Sequence, residues 1–269
     1  LNDFAQTANN LSGAGSITLG SATLSANDSA TSTTFTGVIS GTGALDKTGA
    51  ATLTLSGANT YSGGTTLDAG TLTMGNASAL GTGILAMAAG TTLDFLGSYT
   101  VNNAVTVSGD PTFNVNTGLT TTWTGSISDG TAPGVLDKIG AGALTLSGVN
   151  TYTGGTTLDA GTLAITNGQA VGTGVVTDNA TFNLAFATSD TLANQILGSG
   201  TLQNTGAGTA TLTGAGSSVG AVDVQAGTLA LAQNGVFTAG AYTTQTGAST
   251  AIGGTSQLAV SGALTQAAG

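Results

Sequence analysis

The sequence predicts an all-β chain folded as a parallel β-solenoid, or β-helix, of ~12 stacked coils. Three observations carry that reading. One segment recurs three times without a gap. The distances between copies divide into steps of ~20–23 residues, within the range of solenoid repeats. Within each step, short alternating runs are separated by glycine turns.

Residues 45–72 read LDKTGAATLTLSGANTYSGGTTLDAGTL, and residues 136–163 read LDKIGAGALTLSGVNTYTGGTTLDAGTL, at an offset of 91. A more divergent copy, LQNTGAGTATLTGAGSSVGAVDVQAGTL, occupies 202–229, a further 66 residues on. Taken as whole coils, 91 is four steps of ~23 and 66 is three steps of 22. The flank Thr33-Thr34-Phe35-Thr36-Gly37 matches Thr121-Thr122-Trp123-Thr124-Gly125 at an offset of 88. The three missing residues are read as a loop insertion near Asp129–Pro133.

Each element of the step has a local cause. Thr52-Leu53-Thr54-Leu55 and Thr71-Leu72-Thr73-Met74 alternate with period two, the signature of a strand with one buried face. Ser56-Gly57, Gly63-Gly64 and Asp68-Ala69-Gly70 interrupt where turns need positive φ. Threonine favours strands and meets water without adding charge. Strands this short need stacking, which buries Leu53, Leu55, Leu67, Leu72 and Met74 in one continuous core. Leu144, Leu146 and Leu163 of the second copy point inward by the same register. The aromatic residues Phe35, Phe95, Phe113, Trp123, Phe182, Phe186 and Phe237 read as core filling, while Tyr61 and Tyr152 are expected to be partly exposed. At ~4.8 Å per coil the rod is ~58 Å long. The whole of 1–269 forms a single solenoid domain.

Composition excludes many chemistries. All twelve acidic residues are Asp, both basic residues are Lys, and there is no Glu, Arg, His or Cys. That removes disulfides, thiol nucleophiles, imidazole bases and the usual transition-metal ligands. A net charge of −10 without arginine argues against nucleic acid and anionic lipid. The longest apolar run, Ile84 to Ala89, is too short for a membrane helix, and aromatic girdles of a transmembrane barrel are lacking. Tandem β-sandwich domains need ~80–100 residues each, which the short echoes oppose. The chain starts at Leu1 without Met and reads as part of something longer.

The two near-identical segments closely resemble the passenger-associated repeat of bacterial autotransporters, a GTLTLSGxNTYxGGT…GTL string. The resemblance is strongest at 37–83 and 125–174. It implies a right-handed β-helix, exported through the outer membrane by a C-terminal β-barrel to the surface of a Gram-negative cell. The implied partners are that translocator barrel, a second rod, or a host or neighbouring cell.

Candidate sites are weighed from the residues. Paired carboxylates could serve a polysaccharide-degrading β-helix enzyme. Asp46, Asp68, Asp137 and Asp159 occupy repeated positions, where a structural role is the better reading, and Asp110, Asp129, Asp178 and Asp190 are scattered. Gly63-Gly64 followed by Asp68 lacks the tandem array of a calcium roll, and no phosphate loop occurs. Lys47 and Lys138, each beside an Asp, read as solvated surface pairs. Thr-x-Thr pairs drop out of too many coils for an ice-binding face. No catalytic, metal or cofactor residue is expected. The functional expectation is a non-enzymatic adhesin, autoaggregation factor or display stalk, with the enzyme as the alternative. Unpaired backbone at both ends is expected to favour rod–rod association.

Overall fold

The computed structural model describes residues 3–267. They form thirty-one short strands and no helix, in about 13 parallel turns of a β-solenoid. Most strands pair in parallel with counterparts one coil before and one coil after. Leu45 pairs with Thr65, Thr65 with Leu85, and Leu85 with Val105, so the usual step is 20 residues. The repeat spacing had suggested ~22 and ~12 coils. The difference arises because the copies are not separated by whole turns.

Alternation places the core where period two puts it. Leu53, Leu55, Leu67, Leu72, Met74, Leu144, Leu146 and Leu163 are all fully buried. Inward residues stack into long columns, as in Leu53–Leu72–Leu93–Phe113. The seven Phe and Trp residues assigned to the core are buried as well. Tyr61 and Tyr152 correct the expectation: both are fully buried. Their hydroxyls reach Thr65 Oγ1 and Thr156 Oγ1 at 2.6 Å. Each threonine in turn donates to a backbone carbonyl, Leu80 or Val171. A tyrosine so partnered can be buried without an unsatisfied hydroxyl.

The three extra residues lie where the alignment put them. Val107 pairs with Asp129, but Gly109 pairs with Gly134, and Gly130–Pro133 are exposed. The insertion is a bulge inside one long strand, Ile127–Ile139, rather than a separate loop. Close stacking also sets the glycines. Gly41 has φ +107°, and a Cβ there would lie 1.6 Å from the Leu19 carbonyl oxygen.

Candidate functional site

The repeat carries its chemistry on the inside. Lys47 and Lys138 were expected at the surface, yet both are fully buried. The residue after Asp alternates inward, so the sequence pair Asp-Lys puts the carboxylate out and the ammonium in. Lys47 donates to the Gly49 and Ala69 carbonyls. Lys138 donates to Ile139, Gly140 and Ala160 at 2.8, 2.8 and 3.1 Å. These carbonyls replace the water an ammonium loses on burial. Burial still favours the neutral amine. It holds Lys47 below the ordinary lysine range, against the pull of the Asp28 carboxylate, and pushes Lys138 down to about 8.

The third copy has Asn204 in the place of the lysines. Its amide donates to Ala226 at 2.7 Å, the counterpart of Ala69 and Ala160. The gapless alignment placed LQN over LDK, and that substitution was the available signal for this shared contact. Lys47 stands in the column Ala26–Lys47–Leu67–Met87–Val107. Lys138 stands in a different one, below Phe113 and above Leu158. Asn204 lies in a third, Val101–Trp123–Leu146–Ile165–Leu184–Asn204. Within one coil, Met87, Leu93 and Val101 belong to these three columns in chain order. Each successive copy therefore sits one face further around the prism. The shift from the first copy to the second is four turns plus a face, and from the second to the third it is three turns plus a face.

Asparagine supplies the second inward device, one that residue-level reasoning missed. Asn59 Oδ1 accepts from Ile39 N at 2.8 Å, one coil back, and its Nδ2 donates to Ala79 O at 2.6 Å, one coil forward. Asn150 does the same with Ile127 N and Ala170 O at 2.7 and 2.5 Å. Asn103 and Asn194, also 91 residues apart, donate to Gly81 and Gly83, and to Gly172 and Gly174. The duplicated block thus extends beyond its obvious sequence likeness.

The scattered aspartates accept from turn amides, while Asp46 meets Asp68, and Asp137 lies within reach of the charges of Asp110 and Asp159. Asp110, Asp129, Asp178 and Asp190 accept from the turn amides of Gly90, Gly134, Ala180 and Gly168, at 2.8–3.1 Å. Desolvation pushes Asp129 up, but the hydrogen bonds from Gly134 and Thr153 together outweigh it and lower its pKa. Asp178 is fully buried with Oδ2 unpartnered among the described residues, and burial raises it to about 6. On the outer surface Asp46 is raised by burial, by the charge of Asp68 and by a hydrogen bond shared with it. Asp137 is raised by burial, opposed by a bond from Thr157, with Asp110 and Asp159 adding repulsion. Among the described residues, no three carboxylates are grouped closely enough to hold a metal ion.

A shallow groove also repeats. Ala77, Gly81, Thr82 and Asn103 line one, and Gly168, Gly172, Thr173 and Asn194 line its counterpart. Neither presents a charged side chain among its lining residues.

Burial of the only two lysines gives a direct test. With no arginine, trypsin can cut only after Lys47 and Lys138. The folded chain is expected to resist trypsin under conditions that cleave the urea-unfolded chain at both sites. Cleavage of the folded chain at either lysine would return them to the surface.

No curated protein and no solved structure matches the chain. The family described as the passenger-associated-transport-repeat matches at residues 45–74, 136–165 and 204–231. These are the segments that hold Lys47, Lys138 and Asn204, one on each face of the prism. Three segments of the chain, about a third of its length, thus match a repeat family of autotransporter passengers.

Proposed function

We propose that this segment is a non-enzymatic display stalk of an autotransporter passenger, exported to the surface of a Gram-negative cell. One observation carries the reading: the buried polar contacts between coils repeat. Lys47 and Lys138, with Asn59 and Asn150, recur and are buried, where they tie one coil to the next, and Tyr61 and Tyr152 recur buried beside them. The outer surface of each copy turns to a new face. Identical patches are therefore not stacked into a single adhesive strip. The Asn59 contacts join three coils, so every finished coil offers partners for the one that follows. That suits a chain folding as it emerges through a pore.

The test is display of the chain ahead of a translocator barrel. Asn150→Ala is expected to reduce the folded, protease-resistant passenger at the surface. Replacing outward Thr162, Thr181 and Thr201 with serine is expected to leave both display and cell–cell aggregation unchanged. Loss of aggregation at constant display would assign an adhesive face instead.

A further inference from the structure

Two Asn-Gly pairs occur in the chain, Asn167-Gly168 and Asn234-Gly235. In such a pair the glycine nitrogen can attack the preceding side-chain amide, because no Cβ shields the approach. The structure treats the two pairs differently. Asn167 is held on both sides: its Nδ2 donates to Ser147 O at 3.0 Å, and its Oδ1 accepts from Gln169 N at 3.0 Å. The Gly168 nitrogen donates to Asp190 Oδ2 at 2.9 Å. Thr191 packs so closely that a Cβ on Gly168 would lie 1.8 Å from its carbonyl oxygen. Asn234 is exposed in the left-handed region, at φ +52°. Its Oδ1 accepts from Thr255 Oγ1 at 3.2 Å, and its Nδ2 has no partner among the described residues. The Gly235 N–H likewise has none, and nothing lies within 4 Å of where its Cβ would be.

We infer that Asn234 is a site of intramolecular deamidation and that Asn167 is protected from it. Solvent base removes the Gly235 amide proton, and the nitrogen forms a bond to Asn234 Cγ. The Cγ–Nδ2 bond breaks and ammonia leaves with a proton from water, giving a five-membered succinimide. Water then opens either carbonyl of the ring, yielding aspartate or isoaspartate. No oxidant or reductant is involved. The products place a new carboxylate, and in one case an extra backbone carbon, in the turn between strands Thr228–Leu231 and Val236–Thr244. Thr255 on the following coil faces that change.

The experiment is incubation of the whole folded chain at mildly alkaline pH, followed by peptide mapping with chymotrypsin and mass spectrometry. The Asn234 peptide is expected to acquire the amide-to-acid mass gain. The Asn167 peptide is expected to lag by about 100-fold, since the hydrogen bonds that hold Asn167 and the Gly168 nitrogen must open before the glycine can attack. In urea both pairs convert at similar rates. Gly235→Ala, which meets open space and an ordinary φ, slows conversion at Asn234. Asp190→Ala frees the Gly168 nitrogen and speeds conversion at Asn167. A folded chain in which Asn167 keeps pace with Asn234 overturns the assignment. So does one in which Asn234 stays intact while the unfolded chain converts.

Discussion

Trp123→Ala is expected to destabilise the rod by about 3–5 kcal/mol, the range for removing a large buried aromatic side chain. Trp123 is fully buried in the column between Val101 and Leu146. Its ring meets Phe113 edge-on, with centroids 5.5 Å apart and planes at 86°. Its Nε1 donates to Asn103 O at 2.9 Å. Alanine leaves a cavity that short, stiff strands cannot close, and it strips a partner from a backbone carbonyl. Phenylalanine, which stands at the matching position as Phe35, keeps the apolar bulk and loses the hydrogen bond, at a cost of about 1–2 kcal/mol. Urea unfolding measures both. Solenoid energetics are nearest-neighbour, so hydrogen exchange should quicken first in the strands Thr100–Val101 and Ala143–Leu146. Unchanged urea midpoints for Trp123→Ala would mean that the column is not a packed core.

Stability is expected to be lowest between about pH 6 and about pH 8, the reverse of the common pattern. Two buried groups, Asp178 and Lys138, cause this. The Asp178 carboxyl titrates at about 6 in the fold, above its ordinary value of 3.8. Between those values the folded chain holds a proton that the unfolded chain has released. Its contribution is therefore fully present below about 4 and is lost as pH rises through 6. Lys138 titrates at about 8 in the fold, below its ordinary 10.5. Between those values the unfolded chain holds the extra proton, so stability rises with pH above 8. Each limb amounts to something on the order of 2–3 kcal/mol. Lys47 is lowered and Asp46 and Asp137 are raised, mainly by burial, and they act in the same directions. Tyr61 and Tyr152 are raised by burial, which opposes the alkaline limb above about pH 10. Urea midpoints across the pH range test the shape. Asp178→Asn should flatten the acid limb and Lys138→Met the alkaline one. A stability maximum near neutrality, or limbs unaffected by those substitutions, would sink the account.

The strands and the core were legible in the sequence because they depend on local chemistry. Thr52-Leu53-Thr54-Leu55 can bury leucine only on one face of a strand, and Leu53 and Leu55 are buried. The bulge near Asp129–Pro133 was legible because a repeat with three residues too many must absorb them somewhere. The inner polar devices were less visible. Lysine beside aspartate looks like a surface pair until the alternation is followed one residue further, and its burial is tolerable only because carbonyls of two coils converge on it. Tyr61 follows the same logic, since Thr65 reaches its hydroxyl only once the turn has closed. Asp178 was masked by its charge: the alternation after Val176 and its apolar counterpart Met87, 91 residues earlier, both mark an inward position, but a carboxylate reads as surface until the coils are stacked.

By itself the sequence determined that this chain is a β-solenoid of repeated coils, with these strands, these turns and this core. Period two, glycine turns and gapless repetition are properties of the chain that need no knowledge of what lies across the coil. Tertiary structure alone decided how the repeats are arranged around the axis. An offset of 91 can be read as four coils of ~23 residues or as four coils near 20 and one more face. Both satisfy the alternation, because the three faces are built from the same kind of short strand and are interchangeable to local chemistry. The choice is made by the backbone ladder, which pairs Phe113 with Lys138 and Trp123 with Leu146. Those hydrogen bonds join residues more than twenty positions apart, and they exist only when the coils have stacked.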